Sequence, residues 1–109
     1  MGKLQKVEKC IARKKASELI SLAEDKDAEV RAAAIRGLGQ VGGEEAYNGL
    51  IGLLKSRDDD MLIAAAEALG NMGNSHADAH LLHLLQVTEN DGVRQAAKDA
   101  LARLPRSRE

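Results

Sequence analysis

The sequence predicts an all-α fold, an α-solenoid of about three helix pairs led by an N-terminal capping helix, and three observations predict it. Residues 27–43, DAEVRAAAIRGLGQVGG, return thirty-one residues later as residues 58–74, DDDMLIAAAEALGNMGN, and a worn copy occupies residues 90–107. Leu19, Leu50 and Leu81 recur at the same interval in Leu-rich segments that precede each copy. Apolar residues make up 44% of the chain, yet Tyr47 is the single aromatic, so Leu, Ile, Val, Met and Ala must build the core. Such a core suits helices that approach closely, because alanine is the best helix former and loses no side-chain entropy on burial. At 109 residues there is room for one domain, residues 1–109, with one elongated core.

Residues 3–13 are the capping helix, with Leu4, Val7 and Ile11 at helical spacing and lysines opposite. The helix breaks around Arg13 to Lys15, where the apolar stripe loses register although no Gly or Pro enforces a stop. Repeat 1 covers residues 16–43, repeat 2 residues 44–74 and repeat 3 residues 75–105, leaving 106–109 as a polar tail. Each repeat opens with a Leu-rich outer helix, over residues 16–24, 44–55 and 76–86, and continues through a charged turn into an Ala-rich inner helix.

Val30, Met61 and Val93 correspond, as do Leu38, Leu69 and Leu101, the last interval being thirty-two because one residue is added in the turn before Val93. An insertion in a turn is harmless, whereas inside a helix it would rotate the apolar face by about 100 degrees. Asp27, Asp58 and Asn90 precede the inner helices as N-caps, and Ser75 with Asp78 has the pattern of a capping box. Gly42 with Gly43, and Gly73, stop the inner helices, with Pro105 in that role in the third copy. The inner apolar positions are Val30, Ala34, Gly37, Leu38 and Val41, matched by Met61, Ala65, Ala68, Leu69 and Met72. Gly37 costs about 1 kcal/mol of helix propensity relative to Ala, so it marks a tight crossing; Gly49 and Gly52 make the same argument more weakly.

The formal net charge of -1 hides an asymmetry. Lys3, Lys6, Lys9, Arg13, Lys14 and Lys15 are offset only by Glu8 at the start, and Arg94, Lys98, Arg103, Arg106 and Arg108 outnumber Asp99 and Glu109 at the end. Solenoid ends must be polar to stay soluble, and that accounts for the pattern better than a docking surface for an acidic partner. The longest apolar runs fall short of a membrane span and the N-terminus lacks a signal-peptide core, so a cytoplasmic protein with no membrane partner is expected. Cys10 is alone, which excludes an internal disulfide and fits a reducing compartment. It reads as a small apolar residue on an amphipathic helix.

No catalytic constellation is legible, so an enzyme is not expected. His76, His80 and His83, at i, i+4 and i+7, share one side of a helix, but they lie opposite Leu81, Leu84 and Leu85 and lack the further ligands of a closed zinc site. Arg57 to Asp60 lacks the alternating ligands, central Gly and closing Glu of a calcium loop. Acidic residues there and at Glu44 and Glu45 suit a helix start. LGQVGG ends a helix, whereas a phosphate loop opens one. No metal or cofactor is expected.

The combination V-R-x-x-A, then A-L-G or a near version, then a Gly-marked turn, at a period just over thirty, resembles the short HEAT-like repeat of the phycobilisome lyase type. The resemblance spans residues 16–104 and implies a right-handed α-α superhelix. In such repeats an Asp before the inner helix and an Arg on its first turn form a ladder between units. Asp27 and Arg31 match both positions, Asp58 is followed by Leu62 in place of Arg, and Arg94 follows Asn90 and would reach back to Asp58.

Solenoids bind along the surface lined by their inner helices. That groove is expected to show Ala32, Arg36 and Gln40, then Leu62, Ile63, Glu67 and Asn71, then Gln95, Asp99 and Arg103, with an apolar anchor near Ile63. The expected function is a non-catalytic scaffold or adaptor that binds another protein or peptide there. The resemblance also implies, as an alternative, an accessory subunit of a bilin lyase or related cofactor-attaching enzyme. A nucleic-acid-binding module is a second alternative, disfavoured by the absence of Trp and Phe for stacking and by the mixed sign of the groove. Attraction between basic ends and acidic middle would support a homodimer.

Overall fold

Local side-chain bonds start the helices in a way that repeats along the chain. Asp27 Oδ1 accepts the Glu29 N–H at 2.9 Å, Asp58 Oδ1 accepts from Asp60 at 2.9 Å and Met61 at 3.4 Å, and Asn90 Oδ1 accepts from Val93 at 2.9 Å. Each satisfies donors that a helix start leaves unpaired. Two residues upstream a second device recurs: Asp25, Ser56 and Thr88 accept the N–H of Asp27, Asp58 and Asn90 respectively. The turn before each inner helix is thus built the same way in all three copies.

The computed structural model describes residues 2–105, and the expected tail 106–109 lies outside them. The described residues form α1 (Lys3–Ala12), α2 (Ala16–Leu22), α3 (Ala28–Val41), α4 (Gly43–Leu53), α5 (Asp59–Met72), α6 (Asp78–Val87) and α7 (Asp91–Arg103), with a single 3-10 turn at Ser75–Ala77 and no strand. Instead of a capping box from Ser75 and Asp78, Asn74 caps the 3-10 turn by accepting from His76 N–H, and Asp78 binds the N–H of its neighbour Ala79. The third outer helix therefore starts at Asp78 rather than His76. Between α3 and α4 the chain reverses through Gly42 and Gly43, at φ 73° and 86°, values that only glycine adopts without strain.

The break after α1 has a defined geometry. Lys15 N–H donates to Cys10 O at 2.9 Å and Lys14 N–H to Ile11 O at 3.1 Å, with Lys14 at φ 55°. This is a Schellman closure with lysine where glycine is usual. Lys14→Gly is expected to stabilise the protein by about 0.5–1 kcal/mol, because it relieves a left-handed non-glycine residue at some cost in unfolded-state entropy. A urea denaturation midpoint at or below that of the parent would count against the strain.

Packing runs along a row. α1 packs on α3, α3 on α5 and α5 on α7, while α2, α4 and α6 lie along the other side of that row, giving a slab of 46 × 32 × 17 Å. The capping helix α1 therefore takes the place of an inner helix. Val30, Ala34 and Leu38 of α3 are buried, as are Ala65 and Leu69 of α5 and Val93 and Ala97 of α7, while Met61 and Leu101 are partly buried against them. Leu19, Ile35, Leu38, Leu50, Leu69 and Leu81 are fully enclosed. No polar or charged side chain is buried among the described residues.

The inner helices α3 and α5 also carry a second buried stripe, facing the next helix of the row. In α3 it includes Ile35 and Gly39, and in α5 Leu62, Ala66 and Gly70. The corresponding positions of α7 are Arg94, Lys98 and Ala102, with Lys98 and Ala102 exposed. The forward face of α7 is thus more open and more polar than those of α3 and α5. Leu62, expected in the open groove, is thereby corrected: it is 7% exposed, covered where α5 meets α7.

Candidate functional site

The caps and the buried stripes leave one strip of each inner helix free. From α3 it presents Arg36 and Gln40, from α5 Glu67 and Asn71, and from α7 Gln95, Asp99 and Arg103, all exposed. The structure brings some of these together. Arg103 Nη1 donates to Asn71 Oδ1 at 2.6 Å across the α5–α7 seam, and Gln95 Nε2 donates to Asp99 Oδ1 at 2.9 Å within α7. Arg36 and Glu67 have no ion-pair partner among the described residues.

Ala32 and Ile63 are half-buried. Ile63 Cδ1 lies so near Gly92 that a Cβ there would come within 3.2 Å of it, so part of the expected apolar anchor is already occupied by the start of α7. The face is polar and mixed in sign, suited to directional contacts more than to an apolar seam.

The expected ladder takes another form. Arg31 Nη1 donates to the carbonyls of Asp25 at 2.9 Å and Lys26 at 3.1 Å, and Arg94 Nη2 donates to the carbonyl of Thr88 at 3.0 Å. Each guanidinium braces the turn before its own helix, so Arg94 closes on Thr88 and on Asp91 Oδ1 at 2.8 Å instead of reaching Asp58. Asp27 and Asp58 are engaged as caps. The side-chain bond that links the starts of neighbouring inner helices joins Asn90 Nδ2 to Asp59 Oδ2 at 3.0 Å. Spacing alone could not find it, since it depends on how the α5 and α7 starts sit side by side.

At the N-terminal end Lys3 Nζ bonds Asp25 Oδ1 at 2.8 Å, tying α1 to the turn before α3. That bond and the Asp27 N–H hold the Asp25 carboxyl below its usual range. Cys10 is 3% exposed and its thiol donates to Glu18 Oε1 at 3.3 Å. Burial, then the bond and charge of Glu18, push the thiol up, against smaller opposing effects of Lys6 and Lys15. An enclosed thiol of this kind is a poor nucleophile.

His76, His80 and His83 are all exposed, and no group of three or more His, Cys, Asp or Glu side chains suited to a metal ion occurs among the described residues. His80 and His83 instead line a groove between α4 and α6, which the sequence reading missed. No described helix is long and apolar enough to cross a membrane.

A family model described as HEAT repeats matches residues 16–102, everything from the start of α2 to the last turn of α7. No curated protein shows significant similarity to the chain.

Proposed function

The chain belongs to the HEAT-repeat family, and we propose that it is a non-catalytic scaffold or adaptor that binds another protein or peptide on the free strip of α3, α5 and α7. Within that reading, its helices make three pairs in a right-handed superhelix of the short HEAT-like type, working in the cytoplasm. HEAT repeats commonly mediate protein–protein contacts, and the observation that carries the assignment to this face is the register of its polar side chains. Arg36, Glu67 and Asp99 occupy equivalent positions on three successive helices, so this row of the face carries a fixed pattern of one cation and two anions, with Arg103 one turn further along α7. A rigid scaffold keeps such a pattern in place without ordering costs at binding. The face can bury on the order of 800 Å² of its own surface, enough for a complex of standard size.

Charge reversal tests the assignment. Arg36→Glu and Glu67→Arg are expected each to weaken capture of the partner by at least about tenfold, since a misplaced charge costs more than a missing one. Helical content should be unchanged, as both side chains are exposed. Capture from the native host followed by titration of the purified partner reads this out; undiminished affinity in both variants would place the binding surface elsewhere.

A further inference from the structure

The outer helices do not pack uniformly, and the repeat register explains why. Gly49 of α4 corresponds to His80 of α6, and Gly52 to His83, each thirty-one residues apart. Ile20 of α2 lies directly over Gly49, where a Cβ would come within 2.8 Å of Ile20 Cγ1. Ile51 is the equivalent of Ile20 one unit on, and the residue at the Gly49 position of the next helix is His80, which lines one groove together with Ile51. Thus α2 and α4 pack together, while α4 and α6 make only marginal contact.

Between them lies a groove of about 440 Å³ whose apolar lining is Ile51, Leu54, Ala79, Leu84 and Val87, the last 57% exposed. Every ionisable side chain on it is basic: Lys55 from the turn that follows α4, and His80 and His83 from α6. The walls are helices whose backbone groups are already bonded, so an extended peptide would find no edge to pair with. A helix carries its own backbone bonds, and one of its side-chain ridges fits the channel between two others.

We infer that the α4–α6 groove binds an acidic amphipathic helix of another protein, its aliphatic side chains on Ile51 and Leu54 and its carboxylates against Lys55, His80 and His83. This surface lies on the outer helices, so it stands or falls independently of the free strip of α3, α5 and α7.

The probe is a synthetic peptide of about sixteen residues, long enough to form a helix, with leucine at i, i+3, i+4 and i+7 and glutamate elsewhere. A second peptide carries lysine for glutamate. Titrated into the isotope-labelled full chain, the glutamate peptide is expected to shift the Ile51, Leu54 and Leu84 amide resonances and the lysine peptide to bind at least about tenfold more weakly. The double variant His80→Glu, His83→Glu, at two exposed sites that leave the fold intact by circular dichroism, should reverse that preference. Equal binding of both peptides, an unchanged preference in the variant, or shifts confined to the Arg36 and Glu67 face would overturn the inference. So would dodecanoate filling the groove when the peptide does not, or groove shifts that grow with the concentration of the chain alone and so mark a second copy as occupant.

Discussion

Gly70→Val is expected to destabilise the protein by about 2–3 kcal/mol, because overpacking against the next helix outweighs the few tenths that valine gains over glycine in helix propensity. A Cβ at position 70 would stand 2.8 Å from Ala100 Cα and 3.0 Å from Ala100 Cβ, and one at Gly39 would stand 2.8 Å from the Ala68 carbonyl oxygen. These atoms belong to the backbone, or are fixed to it, in the next helix of the row. They cannot swing aside as a long side chain can, so the helices must part. Gly70→Ala is the subtler case, because alanine gains about 1 kcal/mol of helix propensity against an overpacking cost of about 1–3 kcal/mol. Gly52→Ala is the control: nothing lies within 4 Å of its added Cβ, and a gain of up to about 1 kcal/mol is expected. Urea denaturation of the variants decides the matter. A Gly70→Val protein as stable as the parent would mean that α5 and α7 do not approach closely in solution.

Leu62→Asp is expected to cost about 3–5 kcal/mol, from the lost burial of leucine and the desolvation of a carboxylate between helices. Glu67→Ala, one turn further on and exposed, should change stability by less than about 0.5 kcal/mol. The pair distinguishes two places for Leu62. On the open face, where an Arg would stand by the repeat pattern, aspartate would be tolerated. Between α5 and α7, where Leu62 is 7% exposed, it would not. Thermal unfolding followed by circular dichroism separates the outcomes, and a Leu62→Asp protein melting with the parent would return Leu62 to the binding face.

Much of the fold was legible because the signals that carry it are local. Asp27, Asp58 and Asn90 act on N–H groups two or three residues away, and Gly42, Gly43 and Gly73 act through their own φ angles. A thirty-one-residue interval in Leu and Ala shows up in any register. The free strip was legible too, since Arg36, Glu67 and Asp99 are the polar positions left over once the apolar ones are counted. Other features were hidden because they depend on a partner helix. Lys14 carries no sign of a left-handed residue, and nothing in Ser75 or Asp78 says that a 3-10 turn will precede α6. The bond from Asn90 to Asp59 needs two helix starts placed side by side.

By itself, then, the sequence determined the class of the fold, the helix starts and the period at which units stack, because each rests on interactions within a few residues or on repetition of the same residues. Only the tertiary structure decided which faces of those helices are covered. An inner helix is packed by the outer layer and by neighbours along the row, so its second stripe draws Leu62 inward and brings Gly39 and Gly70 against backbone. The outer helices differ in the same way: Ile20 of α2 lies against Gly49 of α4, while α4 and α6, with His80 at the equivalent position, leave an open groove between them.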